Sequence, residues 1–346
     1  MRGAYLSQPI SIGYLTGFHS DPHERLMALV VRPADATLIV PGLDEEAARA
    51  TADGVEVRAW HDGQDPWTVV SEAFAPSGSS GPVAVEKAHL SLAAWERLRT
   101  VVNGFEPVDA GEQLRLLRAR KAPWEQERLR RAAEITDRVT EEAIAGLAVG
   151  RSELEVAMAI DLHIAEAGAR RAFGTIVQSG PNSAMPHAQP GDRRLRPGDL
   201  VLLDFGAAWE GYRADTTRMA VVGAPDSRQV EVHSVVLAAH DAALAAMRAG
   251  TAVREVDEAA RAVIREAGLG DRFIHRVGHG LGLEAHEDPS LDPGSDVVLE
   301  EGMVVTIEPG VYVPGWGGVR IEDDVIVEAG GGRLLTTAGR ELRVVG

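Results

Sequence analysis

Five residues in the second half of the chain, Asp204, Asp215, His279, Glu308 and Glu322, are of the types that hold metal ions. Four are carboxylates and one is an imidazole. The chain has no cysteine, which excludes thiolate zinc sites, iron–sulfur clusters, disulfides and a cysteine nucleophile. Hard carboxylate oxygens with a single imidazole suit a pair of Mn²⁺-like ions, with Co²⁺, Fe²⁺ or Zn²⁺ able to compete. Two such ions held about 3.5 Å apart by bridging acids lower the pKa of a water and polarise a carbonyl, which is the chemistry of a hydrolase.

The run 200–203 (Leu-Val-Leu-Leu) leads straight into Asp204, and its unbroken apolarity predicts a strand buried on both faces. A carboxylate at the end of such a strand needs a partner. Residues 209–211 (Trp-Glu-Gly) read as a turn and 212–222 as the returning strand. With the hairpin centred between Trp209 and Glu210, Asp204 falls directly opposite Asp215, and directly opposed residues share a face with Cβ atoms about 5 Å apart. Carboxylates so placed repel strongly unless one is protonated or a cation binds between them. Glu308 after 304–307 and Glu322 after 318–321 repeat the arrangement, and the glycines beside His279 let backbone approach a crowded centre closely.

An internal repeat carries these strands. Residues 150–168 align without gaps to 250–268, with Gly150/Gly250, Glu155/Glu255, Val156/Val256, Ile164/Ile264 and Gly168/Gly268 among the identities. Each copy reads as a helix closed by a glycine just past its end, and Ser152 with Glu155 forms a capping box. The repeat runs on into the strands: 198–206 aligns to 302–310, setting Asp204 against Glu308, and Arg213-Ala214-Asp215 matches Arg320-Ile321-Glu322. The second half is therefore expected to be a duplicated helix-helix-hairpin unit in which each copy contributes two acids to one anionic pocket. Ahead of it, Pro123, Glu125 and Glu127 open a helix whose apolar positions, Leu129 to Leu147, recur at steps of three or four.

At these residues the chain resembles the pita-bread metallopeptidases, in the aminopeptidase P and prolidase (Xaa-Pro peptidase) branch. The likeness is carried by Asp204 and Asp215, by His279 in Gly-His-Gly-Leu-Gly, by Glu308 in Thr-Ile-Glu-Pro-Gly-Val-Tyr and by Glu322 in Gly-Val-Arg-Ile-Glu-Asp-Asp. It extends to 182–187 (Asn-Ser-Ala-Met-Pro-His) and to 14–18 (Tyr-Leu-Thr-Gly-Phe), and so covers nearly the whole chain. The resemblance implies an α/β (α+β) protein, with a creatinase-type N-terminal domain over 1–117 and a pseudo-two-fold pita-bread catalytic domain over 118–346. It implies two divalent metal ions per chain, Mn²⁺ foremost, with Asp204 as a terminal ligand, Asp215 and Glu322 bridging, and His279 and Glu308 on the other ion. It also implies that Glu308 moves the proton, that His187 and His286 contact substrate and steady the tetrahedral intermediate, that Arg320 backs the bridging acid, and that His275 lines the pocket.

The activity so implied is removal of an N-terminal residue from di- or oligopeptides with proline second, as a dipeptidase or as aminopeptidase P, by a homodimer. A dipeptidase needs a cation for the free carboxylate beyond proline, and Arg25, after the loop 19–24, is the candidate. Two rivals stand beside this reading. Relatives resembling creatinase or sulfonium lyases keep the fold with other chemistry but often lose ligands, and a non-catalytic peptide-binding module has no reason to keep four buried acids.

The first half reads as mixed α/β, with strands at 28–31, 37–40 and 83–85, a turn at 33–35 and a flexible loop at 76–82. The family usually begins with a helix, whereas Tyr5-Leu6 is already the first strand; the domain is expected to be shorter, or the chain cut. With 52 acidic against 35 basic residues, a net charge of −17 opposes nucleic-acid phosphate and anionic membrane. No stretch has the length of a membrane span or the apolar run of a signal peptide, so the expected location is cytoplasmic. The basic run 115–131 reads as a linker and a solvated helix face, with a domain boundary near 117. His163, His233 and His240 read as packing or surface residues, and Asp241, Asp257 and Asp323 as solvated acids.

Overall fold

The computed structural model describes residues 2–75 and 81–346, so the loop expected at 76–82 falls almost wholly outside the described residues. The chain forms two compact units, one ending at Leu117 and the other beginning at Arg118.

In the first unit the strands Glu56–Trp60, Ala36–Pro41, Ala28–Val31, Gly3–Leu6, Val83–Val85 and Pro107–Asp109 lie in that order in one mixed sheet. Alternation along each strand supplies two cores. Ala28, Val30 and Ile39 pack with Val70, Phe74 and Leu98 on one face, and Leu29, Leu38 and Val40 pack with Ile12 and Ala48 on the other. Burial on both faces is why these strands read as unbroken apolar runs.

In the second unit the repeat is expressed as helices Glu153–Glu166 and Val253–Glu266, each followed by a glycine in the left-handed region, Gly168 at φ 76° and Gly268 at φ 75°. Ser152 and Glu155 form the expected capping box. The long helices Pro123–Ala145 and Ser227–Ala246 pair with them. Val201, Leu203 and Phe205 of the strand Leu200–Phe205 pack on the helices of the first copy, while Leu200 and Leu202, which share a face with Asp204, belong to the second cluster. Two sheets result. One has the order Ile176–Ser179, Leu200–Phe205, Thr216–Val222, Arg343–Val345; the other is built on Val304–Ile307 and Asp323–Glu328. An antiparallel bridge between Thr217 and Glu322 joins them.

The register differs from expectation. Trp209 pairs with Tyr212, and the two-residue turn between them is Glu210-Gly211, both in the left-handed region at φ 48° and 88°. The hairpin is thus centred one residue later than the sequence implied, and Asp204 faces Thr217 rather than Asp215. Because side chains alternate with period two, this two-residue slip leaves Asp215 on the same face, diagonal to Asp204. In the second copy Ile307 faces Asp323 and Gly310 faces Arg320, so the same register sets Glu308 opposite Glu322. With Asp204 equivalent to Glu308, the counterpart of Glu322 in the first copy is Thr217, and the counterpart of Asp215 is Arg320. The motif match of Asp215 to Glu322 is corrected accordingly.

Three surface expectations are also corrected. Arg118 and Lys121 of the basic run are buried against Glu284 and Glu287. Asp257 is buried and holds Arg261 and the Val277 amide. Asp323 is buried, held by Arg218, Thr336 and the imidazole of His240. Among the described residues no helix is long and apolar enough to cross a membrane.

Candidate metal centre and active site

Asp204, Asp215, His279, Glu308 and Glu322 line one cavity of about 770 Å³ in the second unit, together with His187, His275, His286 and Arg320. The elements that bring them there are strand ends. Asp204 lies near the end of Leu200–Phe205, and Asp215 directly precedes Thr216–Val222. Glu308 follows Val304–Ile307, and Glu322 sits between Gly317–Arg320 and Asp323–Glu328. His279 enters on the short strand His279–Gly280, whose flanks admit no side chain: a Cβ on Gly278 would lie 2.0 Å from the Thr306 carbonyl oxygen, and one on Gly280 2.2 Å from that of Asp288.

Ligand atoms of Asp215, His279 and Glu322 all lie within 4.8 Å of one another. The Asp215 Oδ1 is buried and has no hydrogen-bond partner, a costly state for a carboxylate unless something else binds it. His279 Nε2 is 3.4 Å from Glu308 Oε1. Burial and mutual repulsion push the carboxyls of Asp215 and Glu322 well above the ordinary range. Burial raises Asp204 too, against the pull of Arg320, and takes Glu308 up to about 7. Burial, with a lesser push from His286, holds His279 down to about 3, so its imidazole is neutral and free to ligate. Hard oxygens, a neutral imidazole and an orphaned carboxylate oxygen fit divalent cations.

The surroundings hold these groups in place. Arg320, buried among acids, donates to Asp204 through Nη2, to Thr217 Oγ1 at 2.9 Å and to the Tyr312 hydroxyl at 2.9 Å. Its direct carboxylate partner is therefore Asp204, and it reaches Glu322, the acid the sequence set it beside, through Thr217. Thr217 Oγ1 in turn donates to Glu322 Oε2 at 2.6 Å. The Tyr312 hydroxyl lies 3.0 Å from His275 Nε2, and His275 Nδ1 donates to the Arg276 carbonyl at 2.7 Å. That leaves Nε2 as the acceptor, and burial keeps the ring neutral with a pKa of about 4. A hydrogen-bonded chain thus runs from Asp204 through Arg320 and Tyr312 to His275.

His187 and His286 are exposed at the cavity, and the ring of His286 lies 4.1 Å from that of His279. Arg25 belongs to the first unit, where its guanidinium is paired with Asp62 and lies over the Trp60 ring. Sequence reasoning missed Thr217 and Tyr312. Tyr312 ends the Glu-Pro-Gly-Val-Tyr run already noted, and Thr217 carries no signal beyond its place two residues after Asp215.

A pseudo-symmetric sheet that gathers four acids and a neutral histidine at its centre defines a metal-dependent hydrolase, and the chain belongs to metallopeptidase family M24, whose sequence model matches residues 127–329. The model of the creatinase/prolidase N-terminal domain matches residues 1–120. The architecture is accordingly a creatinase-type N-terminal domain with a pita-bread catalytic domain. Among individual proteins, the chain is 37% identical over 347 residues to an Xaa-Pro dipeptidase of Lactobacillus helveticus, covering 99% of this chain and 94% of the relative. It is similar to the solved Xaa-Pro dipeptidase from Bacillus anthracis, with a TM-score of 0.94, 33% identity and coverage of 99% and 95%. It is also similar to the X-Pro aminopeptidase from Thermotoga maritima, with a TM-score of 0.90, 32% identity and coverage of 99% and 98%.

Proposed function

We propose that the protein hydrolyses the bond between an N-terminal residue and proline in Xaa-Pro dipeptides. Two divalent ions per chain, Mn²⁺ foremost, would be held by Asp204 as terminal ligand, by Asp215 and Glu322 as bridges, and by His279 and Glu308. The observation that carries this reading is the buried, unpartnered Asp215 oxygen beside His279 and Glu322, in a cavity with room for a dipeptide. The dipeptidases of Lactobacillus and Bacillus noted above support the substrate class.

When bound, the ions supply the activated water and polarise the scissile carbonyl. The chain's own groups do the rest. Glu308, beside His279, takes the proton of the attacking water and returns it to the departing proline nitrogen. His187 and His286, from loops at the cavity, donate to the carbonyl oxygen as it gains charge. Arg320, braced by Tyr312, fixes the Asp204 carboxylate, and His275 completes that wall. Arg25 is kept as the candidate cation for the substrate carboxylate. The same reading takes 1–117 as the N-terminal domain, 118–346 as the catalytic domain, the assembly as a homodimer and the location as cytoplasmic.

The test is release of the N-terminal amino acid from Xaa-Pro, Xaa-Pro-Yaa and Xaa-Ala after chelation and Mn²⁺ re-addition. Mn²⁺-dependent cleavage of Xaa-Pro alone supports the dipeptidase. Preference for Xaa-Pro-Yaa would make it an aminopeptidase, as the Thermotoga neighbour is named, and cleavage of none would overturn the reading.

A further inference from the structure

His187 stands on an exposed loop, and its ring makes no hydrogen bond to the described residues, so something else must hold it against the cavity. The loop tip is a turn closed by the Ala188 amide donating to the Met185 carbonyl at 2.9 Å, with Pro186 and His187 between them. One side chain grips both ends of this turn. The Gln178 amide nitrogen donates to the Met185 carbonyl at 2.6 Å and to the Ala188 carbonyl at 3.0 Å. Gln178 is 1% exposed, and its Oε1 is buried without a partner. The amide cannot be turned round, because its oxygen would then face two carbonyl oxygens that only accept.

A buried amide with an orphaned oxygen is a poor choice for stability alone, since an apolar side chain of the same size buries no unpaired amide oxygen. What the glutamine adds is two directed donors on the residues bracketing His187. Its strand, Ile176–Ser179, runs beside Leu200–Phe205, with Gln178 opposite Leu202 and Ile176 opposite Asp204. The group that fixes the turn is therefore tied by backbone pairing to the strand that carries a metal-ligand candidate. Further back along the loop, the buried Glu153 carboxylate accepts from Asn182 at 3.0 Å and from the Gly191 amide at 3.3 Å, which secures its two shoulders.

We propose that Gln178 is a positioning residue for His187, setting the imidazole over the reacting carbonyl by pinning both ends of its turn. The proposal rests on the peptidase reading above. In Gln178→Met, kcat for Xaa-Pro should fall by about 10–100-fold, as expected for a misplaced catalytic group, with KM changing less and metal content unchanged. In a His187→Ala background the same substitution should lower kcat by less than about twofold, because the group it positions is gone. Hydrogen exchange should accelerate at the Ala188 amide and across 182–191, and not elsewhere.

Equal losses of kcat in both backgrounds, an unchanged kcat, or unchanged exchange across the loop would each overturn the proposal. If Gln178→Met does not unfold cooperatively, Gln178→Asn, which keeps the amide but is one carbon too short, takes its place in the same cycle. If the unaltered protein cleaves no Xaa-Pro, the peptidase reading fails, and the exchange measurement alone decides whether Gln178 holds the turn.

Discussion

Thr217 and Glu322 occupy equivalent registers of the two halves of the catalytic unit and hydrogen-bond to each other across the axis that relates those halves, Oγ1 to Oε2 at 2.6 Å. Glu322 faces Glu308, Thr217 faces Asp204, and the bridge between the two is where the two sheets become one. The hydroxyl also accepts from Arg320, so a single oxygen orients both an acid proposed to bridge two ions and the guanidinium that backs Asp204.

Replacing Thr217 with valine keeps the shape and removes that oxygen. Because partners behind metal ligands typically set affinity within about 10–100-fold, Mn²⁺ binding to chelated protein, read by calorimetry, should weaken by that order. Unchanged affinity would show that Thr217 does not orient Glu322.

Chelation should abolish hydrolysis, and Mn²⁺ or Co²⁺ should restore it, with two ions per chain by elemental analysis. The motivation is four neighbouring acids that cannot all ionise without counter-cations. Full activity in metal-free protein would end the dinuclear reading.

Neighbouring acids should separate cleanly by what they lose. Asp215→Asn or Glu322→Gln should drop one ion and lower turnover by orders of magnitude. Asp323→Asn leaves Arg218 buried beside a neutral amide and should cost stability, about 3–5 kcal/mol for a broken buried pair, while two ions remain. Loss of metal from Asp323→Asn equal to that from Glu322→Gln would overturn the assignment.

The five ligand candidates, the paired helices and the strand before each acid were legible in the sequence because each is a local pattern: an apolar run, a capping box, a glycine past a helix end. The register was not. It turned on whether the first hairpin closes at Trp209-Glu210 or Glu210-Gly211, a one-residue choice that apolar patterning cannot make because both settings bury the same faces. Arg118, Lys121, Asp257 and Asp323 were read as solvated because charge alone says nothing of a partner; Arg118 meets Glu284 across 166 positions. Gln178 and Thr217 were invisible for the same reason, their partners being supplied only by the fold.

Stability should depend on pH through Glu287. Burial alone would raise its carboxyl, but the charges of Lys121 and Arg118, with hydrogen bonds from Arg118 and the Glu284 amide, outweigh that and hold it below its ordinary value. A depressed pKa stabilises the folded state above the unfolded value, roughly pH 4.3, and that stability is lost as pH falls through the folded value. The gap in Tm between the unaltered protein and Glu287→Gln should be wide at neutral pH and narrow on acidification past that point. A gap independent of pH would assign the effect to packing.

Substrate length tests Arg25. If it receives the free carboxylate beyond proline, Arg25→Ala should lose about tenfold in kcat/KM on Xaa-Pro, as one charge-assisted hydrogen bond is removed, and almost nothing on Xaa-Pro-Yaa. Equal effects on both substrates would return Arg25 to its observed role as the partner of Asp62.

At one register position the first half carries Asp215 and the second carries Arg320, and only the second supplies His279. Either half expressed alone and paired with itself would set two aspartates, or two arginines, where the fused chain has one of each. The first combination lacks the imidazole of His279 and the guanidinium of Arg320, and the second crowds two cations into the space meant for metal. Each half has thus become the obligate complement of the other: a split gene would regain the centre only as a heterodimer of unlike halves, never as a symmetric pair.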